Sequence, residues 1–227
     1  MRKALLFSLI ILCCSSVFAQ RTSKFKTKAN SKAKQKIEWN GSLSYGNTVF
    51  LGDLKHNSSE RYVPNIALSM RFNKEKSYKM GYQMAITAGK NSGESDFNIT
   101  SFNRYFRSQY IQGHIAYRRA ISRKISTNSG KKNPQIHFLI GTGFYVADVM
   151  LFDLNIDEVN PEKEESINAI YIPMGLEASY YFEQGFGIMA SITNNAYLND
   201  KIDLYEVDNN GTDNQLMINI GLCYKIK

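Results

Sequence analysis

Hydrophobic and polar residues alternate along most of the chain, and the alternation returns in eight separate stretches. The last stretch reads QLMINIGLCYKIK (residues 215–227), with an apolar side chain at every even position from 216 to 226. A repeat of two is typical of a β-strand with one apolar face and one mixed face. We therefore predict eight strands, at residues 37–51, 65–72, 78–88, 109–117, 136–146, 170–182, 186–193 and 215–227.

The connectors between these stretches are of two kinds. Two are short turns, at 73–77 and 183–185, whereas four are long, at 52–62, 88–103, 149–167 and 195–214. The connector 118–134 is long and basic where a short turn is expected. An even number of strands of about ten residues, with short and long connections at opposite ends, is typical of outer-membrane barrels. The pattern predicts an all-β fold, an eight-stranded antiparallel transmembrane (OmpA-like) β-barrel over residues 37–227.

The second face of the strands carries charged and small residues, which suit the crowded interior of a narrow barrel. Its predicted polar network consists of Glu38, Arg71, Lys79, His114, His137, Glu177 and Lys225. Glu38 and Lys225 are expected close together where the first and last strands meet. The apolar face is fringed by aromatic residues, as at a membrane interface. Alternation alone does not say which face is inside, so a soluble barrel remains the alternative.

The first 19 residues differ from the rest of the chain. Arg2 and Lys3 precede an apolar run, and small residues lead to Ala19, which predicts a signal peptide cleaved between Ala19 and Gln20. Cys223 is then the only cysteine of the mature chain, so no internal disulfide is expected. We interpret Cys223 as a small, nearly apolar filler.

Basic residues concentrate on the predicted periplasmic side. Residues 20–36 contain seven basic residues and no acidic one, and we expect a disordered periplasmic tail there. The proposed basic contacts are Lys24, Lys26, Lys28, Lys32, Lys34, Lys36, Arg118, Arg119, Arg123 and Lys124. Such a rim suits phospholipid headgroups, peptidoglycan or an acidic periplasmic partner. A solvated leader without a partner is the alternative, and nucleic acid is not expected outside the cytoplasm.

The opposite rim is acidic, with most of its carboxylates in residues 148–167 and 195–214. Carboxylates bind divalent cations, but no calcium-loop spacing is present, and solvated loops are the simpler interpretation. His56, with Asp53 and Ser58 or Ser59, is the best candidate set for a lipid-modifying enzyme. We expect no enzymatic activity, no metal and no cofactor, because neither a metal-ligand spacing nor a convincing nucleophile is found.

Five stretches resemble, in order, segments of a Bacteroidota outer-membrane β-barrel family that includes the type IX secretion protein PorG. They are YGNTVFLGDL (45–54), NRYFRSQYIQGHIAY (103–117), NPQIHFLIGTGFY (133–145), IPMGLEASYYF (172–182) and NAYLNDKIDLY (195–205). The resemblance implies a non-enzymatic barrel in the bacterial outer membrane that anchors or docks a periplasmic assembly, such as the type IX secretion machinery.

The expected partners are therefore outer-membrane lipid and either periplasmic secretion proteins or peptidoglycan, for a monomeric barrel. Two other functions stay open. The acidic outer loops could bind an external ligand, as adhesins do, or the chain could be a lipid-modifying enzyme that depends on His56.

Overall fold

A computed structural model describes residues 37–51, 63–74, 80–94, 104–121, 134–153, 161–182, 185–198, 202–204 and 213–226. These residues form eight strands. Their bounds are β1 Ile37–Leu51, β2 Val63–Lys74, β3 Met80–Glu94, β4 Arg104–Ala120, β5 Gln135–Asp153, β6 Lys163–Tyr181, β7 Phe186–Tyr197 and β8 Asn214–Ile226. No helix in these ranges is long and apolar enough to cross a membrane.

The eight strands form one closed antiparallel barrel in which each strand pairs with its neighbours along the chain. The barrel closes between β1 and β8, where Asn40 pairs with Lys225 and Leu51 pairs with Asn214. Closure leaves no unpaired sheet edge around the wall of the barrel, which is the condition for strands to cross lipid. The predicted eight-stranded antiparallel barrel is confirmed.

Several strands are longer than the sequence indicated. β3 continues to Glu94, β5 to Asp153, and β6 begins at Lys163, so parts of the predicted long loops are strand. At β4, Arg118 and Arg119 lie in the strand and not in the connector. β5 and β6 have 19 residues each, whereas β2 and β7 have 12, so the barrel wall is taller on the side of β5 and β6.

The outer surface carries a continuous apolar band. On β4 the outward side chains between Gln109 and Arg119 include Ile111 and Ile115, which are both about half exposed. On β5 the band runs from Ile136 and is followed by Asp148, the first charged outward residue. This height of about ten residues fits the hydrocarbon layer. Because an apolar surface of this extent is unfavourable in water, the band faces lipid.

Aromatic side chains line the band at the end of the barrel where the β2–β3 and β6–β7 turns lie. Trp39, Phe72, Tyr82 and Tyr117 on four consecutive strands form an outward ladder, with ring centroids 5.3, 6.0 and 5.9 Å apart. Aromatic rings favour the headgroup region because they have both apolar and polar parts. By the usual orientation of outer-membrane barrels, the two short turns mark this end as periplasmic.

The interior has a different character in its two halves. Toward the periplasmic end it is ionic, with Arg71, Arg118 and Glu177 fully buried. Toward the other end it is apolar and aromatic, a part that was not predicted. The buried cluster there consists of Phe50, Phe106, Tyr110, Tyr145, Ala147, Val149, Leu151, Ile167, Ala169, Tyr171, Tyr197 and Ile202. Side chains therefore fill the barrel in both halves, as expected for eight strands.

Candidate functional sites

A buried ion cluster joins three strands near the periplasmic end of the interior. Glu177 on β6 accepts from Arg118 on β4 at 2.6 Å (Nη2 to Oε1) and lies 3.0 Å from Arg71 on β2 (Nη2 to Oε2). Each of these strands is separated from the next by one other strand, so the cluster crosses the interior. Alternate positions of each strand face inward, and all three residues occupy inward positions. The closed barrel makes their strands face one another across the interior, so the three side chains meet.

The same Arg71 nitrogen has two further partners. Nη2 donates to Ser42 Oγ at 3.0 Å and to Met189 Sδ at 2.8 Å. Ser42 Oγ in turn lies 2.5 Å from Ser69 Oγ. These contacts fix the Arg71 side chain between β1, β2 and β7. A charged group held this way is costly to bury unless its charge is balanced.

Arg118 corrects one prediction. It was expected in a periplasmic connector as a free basic contact, but it is 2% exposed and paired with Glu177. The basic run around it concealed that residues 118–120 continue the inward–outward alternation of β4. Arg119 is exposed on the outer face, just beyond the apolar band. Arg123, Lys124 and the tail lysines, with the cleavage residues Ala19 and Gln20, lie outside the described residues.

The structure locates most of the predicted lumen residues on the inner face. His137 is buried and pairs in register with Glu177. His114 Nδ1 lies 3.2 Å from the Tyr171 hydroxyl oxygen. Glu38 and Lys225 both have inward parity, and they lie two register positions apart, since Lys225 pairs with Asn40. Lys79 is outside the described residues.

Lys225 also contacts an aromatic ring, because its Nζ lies 4.6 Å from the centroid of Tyr181. A cation at this distance from a ring face is stabilised by the ring quadrupole. Near the same end, Cys223 is buried in a small cluster with Tyr181 and Met189, as a small filler residue would be.

A network of hydroxyl and amide groups crosses the other half of the interior. Tyr197 donates from its hydroxyl to Gln215 Oε1 at 2.9 Å, and Gln215 Nε2 donates to Asn91 Oδ1 at 2.8 Å. Asn91 Nδ2 donates to the Tyr145 hydroxyl at 3.1 Å. Sequence reasoning missed these residues, although each shares the inward parity of its strand. Linked buried groups of this kind make the interior rigid.

Part of the β7–β8 connector packs into the interior at the mouth opposite the periplasmic end. Ile202 is fully buried in the aromatic cluster, and its backbone N–H donates to Asp213 Oδ2 at 2.9 Å. Leu204 follows with a positive φ of 62°, a conformation that reverses the chain direction. This short piece of connector, which we call the cap, adds Ile202 to the apolar filling of the interior at this end.

Charged residues lie on the tall side of the barrel, beyond the apolar band. Arg104 Nη2 lies 3.4 Å from Glu162 Oε1, and Ser166 Oγ donates to Asp148 Oδ1 at 2.6 Å. Among the described residues, no group of three or more His, Cys, Asp and Glu could hold a metal ion. The proposed enzyme set with His56 lies outside the described residues.

Solved structures with a similar fold are outer-membrane barrels. The attachment invasion locus protein Ail of Yersinia pestis, solved with the heparin analogue sucrose octasulfate, is 12% identical with a TM-score of 0.50, and the match covers 84% of this chain and 99% of Ail. Neisserial surface protein A is 9% identical with a TM-score of 0.50, and the match covers 85% of this chain and 100% of that protein. At these identities the similarity concerns the fold alone.

No protein-family model and no curated protein sequence matches the chain. The resemblance to the family that includes PorG therefore stays a prediction. The closed barrel and its apolar band show that this chain is an outer-membrane β-barrel, the class to which the two similar structures belong.

Proposed function

We propose that the protein is a non-enzymatic anchor in the outer membrane that docks a periplasmic assembly. The observation that carries the proposal is the filled interior. Ion pairs occupy the periplasmic half, and Ile202 with the aromatic cluster occupies the other half. An eight-stranded barrel packed in this way has no room for a water-filled channel. Its function then resides on the surfaces that it presents at either end.

The periplasmic side is the better docking candidate because the segments predicted there are predominantly basic. Residues 20–36 are basic without an acid, and Arg119 is exposed on the outer face of β4 near the periplasmic end. Acidic periplasmic proteins or peptidoglycan carboxylates are complementary to this charge. The resemblance to the family that includes PorG points to the type IX secretion machinery as the assembly. Because Arg118 is buried in the interior, the basic residues of the tail provide most of the charge on which this proposal depends.

Affinity purification from native outer membranes tests the proposal. The tagged mature chain is compared with a variant lacking residues 20–36 and with a full-length variant in which the six tail lysines are glutamine. Recovery of periplasmic secretion proteins with the wild type only would support charge-dependent docking. Recovery with the glutamine variant as well would assign docking to the tail without its charge. Equal recovery with all three chains would remove the tail from the proposed function.

A second function is favoured by the tall side of the barrel. β5 and β6 continue past Asp148, and inward Val149, Leu151 and Ile167 give this projection its own buried apolar contacts. A rigid acidic projection outside the membrane could bind a cationic external ligand, as an adhesin does. Its carboxylates do not suit an anionic ligand such as the heparin analogue bound to Ail.

Charge neutralisation separates the two functions. Replacing Glu162, Glu164 and Glu165 by glutamine would abolish external ligand binding and leave periplasmic recovery unchanged if the projection is a binding surface. Binding of fluorescently labelled cationic peptides to intact cells provides the measurement. Cells that express the wild-type and the neutralised barrel at equal levels would label equally if the projection does not bind them.

A further inference from the structure

The buried ion cluster carries more positive than negative charge. Arg71 and Arg118 are 0% and 2% exposed and share one carboxylate, that of Glu177, which is also fully buried. Other charged side chains facing this half of the interior are Glu38 and Lys225, which are partly exposed and of opposite charge. Among the described inward residues, the cluster therefore keeps an excess of one positive charge.

Several guanidinium nitrogens in the cluster have no acceptor. The contacts of Arg71 described above all go through Nη2, while its Nε and Nη1 and the Nε of Arg118 donate to no atom of the described residues. Oε2 of Glu177 is within ion-pair distance of Arg71 but accepts no hydrogen bond from these nitrogens. Buried donors without an acceptor destabilise the folded state, and charged donors do so more strongly than neutral ones. Two buried arginines that share one carboxylate therefore have three donors without an acceptor, which indicates a site for an additional ligand.

Neutral neighbours cannot complete this site by themselves. The nearby inward amide Gln83 and hydroxyl Ser179 can accept hydrogen bonds, directly or through water, but they do not neutralise a charge. Transfer of an unbalanced charge into a closed interior is far more costly than transfer of an unpaired amide. A bound anion would supply both the missing acceptors and the missing negative charge.

We propose that the periplasmic half of the interior binds one small monovalent inorganic anion, of the size of chloride. Nε and Nη1 of Arg71 and Nε of Arg118 donate to it, and Glu177 holds the two arginines apart on its two oxygens. The anion is a structural ligand that stabilises the folded barrel, and it is independent of any periplasmic partner. Small size is required because side chains pack the surrounding interior.

Urea unfolding in detergent or lipid at constant ionic strength tests the proposal, with sodium gluconate replaced stepwise by sodium chloride. Gluconate is too large for the site. When chloride reaches ten times its dissociation constant, the unfolding equilibrium constant is expected to fall by about tenfold. Glu177→Gln leaves two uncompensated arginines and is expected to show a steeper dependence on chloride. Arg118→Met leaves a neutral pair, and its chloride dependence is expected to disappear.

Arg119→Met is the matched control, because the same residue type lies next in the strand but faces outward. It should keep the wild-type dependence on chloride. Wild-type unfolding that is indifferent to chloride would overturn the proposal, as would a dependence that Arg118→Met and Arg119→Met share. Crystals soaked in bromide give a measurement that does not depend on the variants folding. An anomalous peak between Arg71 and Arg118 supports the site, and its absence in an ordered interior contradicts it.

Discussion

Arg118 Nη2 lies 2.6 Å from Glu177 Oε1, and this contact links β4 to β6 across the interior of the barrel. Arg71 on β2 reaches the other oxygen of the same carboxylate at 3.0 Å. One acidic residue therefore holds together three strands that do not pair directly with one another. The partners are 59 and 106 residues away from Glu177 along the chain, so the cluster links distant parts of the sequence.

Removing the shared carboxylate is expected to destabilise the barrel strongly. Glu177→Gln leaves two buried guanidinium groups without a counter-charge, and the free energy of unfolding should fall by about 3–5 kcal/mol. Urea unfolding at low chloride, followed by tryptophan fluorescence of Trp39, provides the measurement. Glu165→Gln is the control on the same strand, since that side chain is about half exposed and should change the stability little.

Replacing the whole cluster should cost much less than breaking it. The triple variant Arg71→Met, Arg118→Met and Glu177→Leu removes all the buried charges together, and apolar replacements of similar volume are often neutral or stabilising. We expect the triple variant to be more stable than Glu177→Gln alone. If the triple variant is the less stable of the two, the hydrogen bonds of Arg71 to Ser42 and Met189 contribute more than the charges do.

The apolar band predicts a depth-dependent cost for a charge on the outer face. Ile115→Lys lies near the middle of the band on β4 and is expected to cost about 2–4 kcal/mol in lipid, whereas Gln109→Lys at its edge should cost about 0–1 kcal/mol. Both positions face outward on the same strand. If both variants lose the same free energy of unfolding in urea from phospholipid vesicles, the result would contradict a lipid-facing band and favour the soluble barrel.

Close packing of glycine against an aromatic ring predicts a steric effect inside the barrel. A Cβ at Gly143 would clash with Cζ of Tyr171, the residue whose hydroxyl lies next to His114. Gly143→Ala is expected to destabilise the barrel by about 1–3 kcal/mol through overpacking. Gly113→Ala on the adjacent strand is the control, because its Cβ would be 3.7 Å from the nearest atom, the oxygen of Ala85. Similar urea midpoints for both variants would contradict the predicted clash.

The cap at the mouth should contribute to stability although it lies in a connector. Ile202→Ala removes fully buried apolar volume and is expected to lower the free energy of unfolding by about 2–5 kcal/mol. Leu198→Ala, at an exposed position near the end of β7, is the control and should have little effect. Faster proteolysis of the β7–β8 connector in the Ile202 variant, on intact cells, would show that the cap holds this segment.

The number of strands and the residues that share each face of a strand were predictable from alternation, although alternation alone did not say which face is inside. Glu38, Arg71, His114, His137, Glu177 and Lys225 were assigned to the inner face, and all six have that parity. Arg118 was misassigned because two adjacent arginines before a basic segment resemble a turn. The ends of β5 and β6 were taken for loop, since acidic and polar residues interrupt the outward face beyond Asp148. Inward Val149, Leu151 and Ile167 continue the pattern there, but three residues are a weak signal.

The sequence by itself determined eight strands with an apolar face that must be buried in lipid or in a core, and the charged and small residues of the other face favoured lipid. Only the tertiary structure decided which inward residues meet. Closure brings Arg71, Arg118 and Glu177 to one level, and it places Ile202 in the mouth. These contacts depend on the register and stagger of the strands, and a repeat of two residues contains no information about either. The local pattern specifies which side chains of a strand face inward, whereas closure of the barrel specifies which of those side chains contact one another.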